Sequence, residues 1–546
     1  MRSTMQDFPL TIGAVLRHGT SVHADSEVVT ATDDGVRATS YGDLAGRTAR
    51  LANALQGLGI DGDQRVATFQ WNNVEHLESY LAVPSMGAVL HTLNIRLFPE
   101  QLTYLANHAE DQVVVVDDSL VPLLAKVLPT FETVKHVLVA GPDAAKADLD
   151  LLTGGGRTVH LYEDLLAAAG DTFAWPDVDE RDAAAMCYTS GTTGRPKGVV
   201  YSHRSSYLHS MAVGMGVNAG LTCQDRVLPI VPMFHANAWG LVYAAMMTGA
   251  SLTLPDRWLQ AEPLCRFMQA TRPTVSGAVP TVWNDVLGHL DAHPDIRLAE
   301  HLRLVLCGGS AVPLSLQQAL EERHGIAMVQ AWGMTETSPV ASVARPPLGA
   351  SEEEAWRYRA GQGRLLPGVE ARIVGESGDP LPQDGTAVGE VEVRGPWVTG
   401  AYYKDPDPEK FHDGWLRTGD VGTLDALGYI TLTDRAKDVI KSGGEWISSV
   451  DLENALMAHP DVLEAAVVGI PDEKWQERPL ASVVLREGAT ATPAQLRDHL
   501  ASTIAKWQLP DAWTFIEAVP RTSVGKFDKL AIRRWYADGE LDVIRS

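Results

Sequence analysis

The chain reads as an α/β protein: a large N-terminal domain of layered α/β subdomains plus a β-rich subdomain, with a small α+β C-terminal domain. Three observations predict this. Its 546 residues exceed what one compact core organises. Over most of the chain, helical apolar periods alternate with short apolar strands, the pattern of parallel sheets covered by helices. From about Ala371 the alternation gives way to short β runs separated by Gly, Pro and Asp turns.

The elements follow in order. "YGDLAGRTARLANALQGLGI" (41–60) has a helical apolar period and ends in Gly-Ile. "RVATFQ", "AVLHTLN", "VVVVDD" and "VKHVLVAG" are strand-like pieces between helices. Ala183–Tyr188 is another short apolar strand. "ARIVGESGDPLPQDGTAVGEVEVRGPWVTGAYY" marks the β-rich subdomain, about 365–434. After Asp434, "VDLENALMAHPDVLEAAVVGIPDEKWQERPLASVVL" reads as helix, strand, loop, strand. A boundary near Thr433–Lys437 divides an N-terminal domain, 1–434, from a C-terminal one, 435–546.

Composition narrows the function. Hydrophobic content of 45% and charged content of 21% are those of an ordinary soluble protein. A net charge of −24 argues against binding nucleic-acid backbones or anionic membranes. Cys187, Cys223, Cys265 and Cys307 are far apart and form no C-x-x-C pair, which disfavours a metal site or disulfide framework. They read as reduced thiols of a cytoplasmic protein. No signal-peptide pattern opens the chain, and no apolar run has the length of a membrane span.

"YTSGTTGRPKGVVYSH" (188–203) carries the first chemistry. A glycine-rich loop after a buried strand lets backbone N–H groups approach a phosphate closely. In Thr189, Ser190, Gly191, Thr192 and Thr193 hydroxyls add donors, and Lys197 adds charge. As a bare pattern such a loop is as often only a turn. It is not a Walker loop, because Gly194 is followed by Arg-Pro-Lys-Gly rather than Lys-Ser or Lys-Thr.

Further motifs follow: "WGMTE" (332–336), "TGD" (418–420), "DRAKDVIKSGGEWIS" (434–448) and "PRTSVGK" (520–526). Trp332 offers a flat face for adenine, Thr335 a phosphate-side donor and Glu336 an oxygen ligand suited to Mg²⁺. Asp420 is able to accept from two ribose hydroxyls, although an Asp in a Gly turn is common. With the loop at 189–198, these five ordered motifs resemble the adenylate-forming (AMP-binding) superfamily: acyl-CoA synthetases, peptide-synthetase adenylation domains and firefly luciferase. "VPMFHANAW" (231–239) and "KSGGEWISSVDLENALMAHP" (441–460) are similar to bacterial long- and medium-chain fatty acyl-CoA synthetases.

The resemblance implies ATP, Mg²⁺ and CoA as cofactor and co-substrates, a carboxylic, expectedly fatty, acid as substrate, and often a homodimer. It implies that Thr189 and Glu336 serve the metal and that Gly309, Ser310, Gln330, Ala331, Trp332, Gly333, Met334 and Thr335 line the nucleotide. Arg435 becomes the second ribose contact. Lys526, by its pattern alone an ordinary solvated lysine, becomes the cation that touches carboxylate and α-phosphate. The C-terminal domain becomes a mobile lid hinged at Lys437, bringing in the loop with Lys441, Gly443, Gly444 and Trp446. His235 falls beside the acyl carboxylate, with Trp239, Val279 and Gly308 around the acyl group; plain core packing is the alternative for Trp239. Other members of the class stop at acyl-AMP, pass the acyl group to an amine, or use a short-chain, aryl or thioether acid.

Overall fold

A computed structural model describes residues 1–189, 195–375, 377–435, 438–442, 445–521 and 527–545, with the backbone alone at 435, 445 and 446. The described strands form three sheets. One contains Arg65–Phe69, Val89–Thr92, Asp111–Asp117, His136–Ala140 and Thr158–Leu161, all parallel, and ends with Ala183–Tyr188 and Gly198–Ser202. The largest has Gly35–Ser40 at one edge, antiparallel to Glu27–Thr32, and then a parallel array of Glu27–Thr32, Ser251–Leu254, Arg226–Pro229, Val275–Ala278, Leu304–Gly308 and Met328–Gly333. From Val340–Val343 onward it runs antiparallel through Gly363–Leu365, Tyr429–Arg435, Trp415–Leu424, Gly389–Arg394 and Glu370–Val374. The change of texture in the sequence near Ala371 therefore marks strands that extend an existing sheet.

Buried helices, with polar as well as apolar side chains, fill the space between the two large sheets. Val74–Ser85 is buried at every position, which a helix attains only when packed on all sides. Its N-cap Asn73 accepts from the His76 N–H at 3.0 Å. Leu241–Thr248 and His203–Gly214 lie in the same core with residues of both sheets. Lys197 and Glu336 fall where the two sheets meet, joined there by the Tyr201 phenol on the Thr335 carbonyl.

The third sheet belongs to the small C-terminal domain. Val462–Asp472 and Gln476–Leu485 form its long hairpin, and helices Ser449–Met457, Pro493–Leu500 and Lys529–Ala537 accompany it. Hydrogen bonds join this domain to the end of the larger one: Asp434 Oδ2 accepts from the Ser449 N–H at 2.7 Å and from the Ser449 hydroxyl at 2.5 Å, and the Ser448 hydroxyl donates to the Thr433 carbonyl. No described helix is long and apolar enough to cross a membrane. The four cysteines are free thiols.

Candidate active site

The strand Ala183–Tyr188 does not run into a helix, as a P-loop strand does. It returns as the antiparallel strand Gly198–Ser202, so the glycine-rich loop closes a hairpin. The Thr189 N–H donates to the Lys197 carbonyl at 3.0 Å, and the Lys197 N–H donates to the Thr189 hydroxyl at 3.1 Å. Those two bonds tie the loop's base.

From that base the site is traced by side chains. Lys197 pairs with Asp407, has Asp405 at 3.5 Å, and lies 4.8 Å above the Tyr402 ring. The Tyr402 phenol donates to Glu336 Oε1 at 2.6 Å. Burial, with Glu336 alongside, raises this phenol well above the ordinary tyrosine range, so it remains a donor at any working pH. The Glu336 carbonyl accepts from the Thr399 N–H, and Tyr201 donates to the Thr335 carbonyl at 2.7 Å. Lys197 and Glu336, 139 residues apart, thus share one aromatic ring.

The adenine and ribose candidates are joined directly. The Trp332 indole N–H donates to Asp420 Oδ2 at 2.9 Å, with both residues buried. Gln330 lies two positions before Trp332, on the same face of the strand. Its Oε1 is buried without a protein partner, an acceptor suited to an incoming amine such as the exocyclic group of adenine. Ala331 pairs in register with Gly308, and a Cβ at Gly308 would lie 2.5 Å from the Ala331 carbonyl oxygen. Gly308 is glycine because the neighbouring strand approaches too closely for anything else. Gly333 is equally constrained, by the Pro339 carbonyl. Gly309 has φ +85°, Ser310 is exposed, and Met334 precedes the short turn Thr335–Thr337 that aims Glu336.

The acyl candidates lie on the segment after Pro229. Asn72 holds it from behind: Nδ2 donates to the carbonyls of Pro229 and Val231 at 2.7 and 2.9 Å, and Oδ1 accepts from the Met233 N–H at 2.7 Å. The Tyr80 phenol donates to the Met233 carbonyl and Thr92 to the Phe234 carbonyl. His235, half-buried, follows. Then Ala236, Asn237, Ala238 and Trp239 all have φ between +42° and +56°, and Gly240 has +74°. A run of left-handed non-glycine residues costs roughly 1–2 kcal/mol each and persists only where its surroundings enforce it. Asn237 Oδ1 faces Tyr80 Oη and Cys187 Sγ, each at 3.5 Å. His209, held neutral by burial with its pKa lowered to about 3, packs where a Cβ on Gly240 would sit. The turn drives the Trp239 indole onto a floor of Gly277, Gly308 and Gly309, where added Cβ atoms would lie 3.6, 3.7 and 3.9 Å from the ring. Val279 borders Gly309 in the same floor. Trp283, four residues after Val279, is fully buried core.

Of the remaining expected residues, Lys441 and Trp446 lie in the sheet of the C-terminal domain and Arg435 beside Asp420. Lys441 is exposed on the strand Ile440–Ser442, its N–H donating to Glu477, and Trp446 pairs with it in register. Arg435 pairs in register with Asp420. Ser190, Gly191, Thr192, Thr193, Lys437, Gly443, Gly444 and Lys526 lie outside the described residues, as do the side chains of Arg435 and Trp446. Sequence reasoning missed Tyr402, Tyr201, Asn72 and Asp407. Among the described residues, no group of three or more His, Cys, Asp or Glu could hold a metal by itself. One carboxylate and one hydroxyl, Glu336 and Thr189, are hard oxygen donors that suit Mg²⁺, an ion that keeps its waters and binds phosphate oxygens.

A glycine-rich hairpin at a sheet edge, a tryptophan bonded to a buried carboxylate and a glutamate held by a tyrosine stand together in an α/β protein with a small second domain. The chain belongs to the AMP-binding enzyme family: the model of that description matches residues 16–403, and the AMP-binding enzyme C-terminal domain matches 451–526. It is 42% identical to the 3-methylmercaptopropionyl-CoA ligase of Ruegeria lacuscaerulensis, over 98% of this chain and 99% of the relative. It is 46% identical to the long-chain-fatty-acid–CoA ligase of Thermus thermophilus, over 98% and 97%. Among solved structures, ATP-bound MatB from Rhodopseudomonas palustris is similar at a TM-score of 0.83 and 28% identity, covering 97% of this chain and 99% of that one.

Proposed function

We propose that this protein is an ATP-dependent acid–thiol ligase that converts a carboxylic acid, a medium- or long-chain fatty acid, to its acyl-CoA through an acyl-AMP. The observation that carries this reading is the convergence of Lys197, Glu336, Trp332 and Asp420 at one end of the sheets, with the Trp239 floor adjoining them through Gly308 and Ala331. A carboxylate is a poor electrophile, so activation comes first. A carboxylate oxygen attacks the α-phosphorus, the bond to the bridging oxygen breaks, and pyrophosphate departs with the electron pair. The CoA thiolate then attacks the acyl carbon, the bond to the phosphate oxygen breaks, and AMP leaves.

The chain's residues have distinct tasks. Trp332 and Asp420 hold base and ribose, with Arg435 as second ribose contact. The hairpin loop from Thr189 to Lys197 cradles the β- and γ-phosphates. Glu336, held by Tyr402, and Thr189 would hold Mg²⁺, which neutralises the leaving pyrophosphate. His235 lies beside the acid's carboxylate. Lys526 stabilises charge at the α-phosphorus during the first step only. We place the domain boundary at Asp434–Arg435 and the pivot at Lys437, with Lys441 and Trp446 on the face that the second step uses.

Lys526→Ala tests the assignment. Adenylation should fall by about 10²–10³ while thioester formation from preformed acyl-AMP is spared. Equal loss in both half-reactions refutes the role.

A second reading of the acid is a short thioether acid, favoured by Trp239 lying flush on its glycine floor and by the relative named for 3-methylmercaptopropionate. Measuring kcat/KM across even-numbered acids C4 to C18, together with 3-methylmercaptopropionate, separates the two. An optimum at or below C6 selects the short acid. A rise of up to fourfold per added methylene, from ~0.8 kcal/mol each, selects the fatty one.

A further inference from the structure

The geometry points to Trp332 as a positioning residue for ribose recognition: its indole N–H fixes the Asp420 carboxylate, so that adenine and the ribose hydroxyls are read by one joined unit. This rests on the nucleotide-binding reading above. A stacking platform needs only a flat face, which Phe or Tyr supplies equally well. Trp332 in addition places its single donor on Asp420 Oδ2 at 2.9 Å, in a buried environment. Hydrogen bonds to a charged acceptor are short and strong, and burial strengthens them further.

The strand topology shows that this contact is not incidental. Trp332 is on Met328–Gly333 and Asp420 on Trp415–Leu424. Between them in the sheet lie Val340–Val343, Gly363–Leu365 and Tyr429–Arg435. Four strand spacings of about 4.8 Å would separate the two outer strands by roughly 19 Å in a flat sheet. The sheet instead curls until the two side chains touch. The indole is therefore the strap that sets where the carboxylate stands relative to the base platform. Thr418 holds the other side of the turn: its hydroxyl accepts from the Asp420 N–H at 3.0 Å and donates to the Val391 carbonyl at 2.6 Å. Trp332 thus does for the side chain of Asp420 what Thr418 does for its backbone.

The test crosses a protein change with a ligand change. Calorimetric titration of the full chain with ATP, 2′-deoxy-ATP and 3′-deoxy-ATP is compared with the same titrations of Trp332→Phe, which keeps a ring and loses the donor. Wild type should bind at least one deoxynucleotide about tenfold more weakly than ATP, and Trp332→Phe should narrow that gap to about threefold or less. If Trp332→Phe weakens all three ligands equally and keeps the full gap, Trp332 is a platform alone and the inference is wrong. If wild type binds none of the three, the nucleotide reading itself fails and takes this inference with it. A spectroscopic measurement stands where Trp332→Phe does not fold. In protein labelled with ¹⁵N-tryptophan, one indole N–H resonance should be shifted downfield and slow to exchange, and Asp420→Asn should move it upfield. Tryptophan resonances unchanged in Asp420→Asn would show that no such bond exists in solution.

Discussion

The two walls of the candidate site are built in different ways. On the nucleotide side, three side chains are held by directed polar bonds to residues distant in the chain: Trp332 to Asp420, Glu336 to Tyr402, Lys197 to Asp407. On the acid side, the Trp239 indole is held by shape, by a left-handed backbone run on one flank and three missing Cβ atoms on the other. The acid wall does have polar support, but behind it. Asn72 ties the preceding segment down, while Asn73 Nδ2 bridges Asp117 and Asp256 at 2.9 and 3.3 Å. A wall fixed by hydrogen bonds is specific for one ligand geometry. A wall fixed by strain and volume accepts any apolar group that fits, so the first suits an invariant co-substrate and the second a variable acid.

Trp239→Ala probes that contrast with the largest effect. If the indole serves packing alone, its loss should cost about 3–5 kcal/mol in urea denaturation and leave the chain-length profile unchanged. If it gates the acid as well, longer acids should gain relative to short ones in kcat/KM. An unchanged profile removes Trp239 from the acyl wall.

Asp256→Asn probes the polar support behind that wall. Burial raises the Asp256 carboxyl to about 6; neighbouring Glu75 adds to the rise, while the Arg257 N–H, Asn73 and Arg37 oppose it. Buried Asp117, also raised well above the carboxylate range, faces it across Asn73. The folded chain therefore binds more protons than the unfolded chain between roughly pH 4 and 6, so this group's contribution is most favourable below that window and is lost as pH rises through it. The loss is of order 3 kcal/mol. Asp256→Asn should flatten the wild-type slope across the window and raise the urea midpoint at pH 7. A variant with the wild-type slope would place the titration elsewhere.

Tyr402→Phe sharpens the nucleotide side with the smallest effect. It keeps the ring under Lys197 and removes the donor to Glu336. About 1.5 kcal/mol, near tenfold, should appear in the Mg²⁺ concentration required for half-maximal pyrophosphate release, with the acid KM unchanged. A shift in the acid KM instead would contradict the division of the site into two walls.

The sequence carries these features unequally. Layered α/β architecture was legible because burial on both faces of a parallel sheet leaves continuous apolar strands. The family was legible because its motifs of hydroxyls, glycines and carboxylates follow one another in order along the chain. The hairpin return at Gly198 was hidden, because "GTTGRP" announces a turn but not the direction of the strand that follows. Tyr402 and Tyr201 gave no signal: in a β-rich stretch or an edge strand, a tyrosine reads as sheet packing. The Trp332 donor was knowable in type, but its acceptor lies 88 positions away, across three strands. The left-handed run at Ala236–Trp239 was unreadable, since only Asn237 belongs to a residue type that tolerates such backbone angles.

The glycine-rich hairpin occupies a seam. Gly198–Ser202 is the outermost strand of its sheet, and an unpaired strand margin invites association with other chains. Here the margin is sewn to turns that adjoin the neighbouring sheet, by the Tyr403 N–H on the Gly198 carbonyl and by the Tyr201 phenol on the Thr335 carbonyl. Both stitches lie on the return strand, one at its loop end and one three residues further on, at the residue before Glu336. Any breathing of one sheet against the other is thereby carried to the two places that would grip a polyphosphate, and a polyphosphate held at both places fastens the seam.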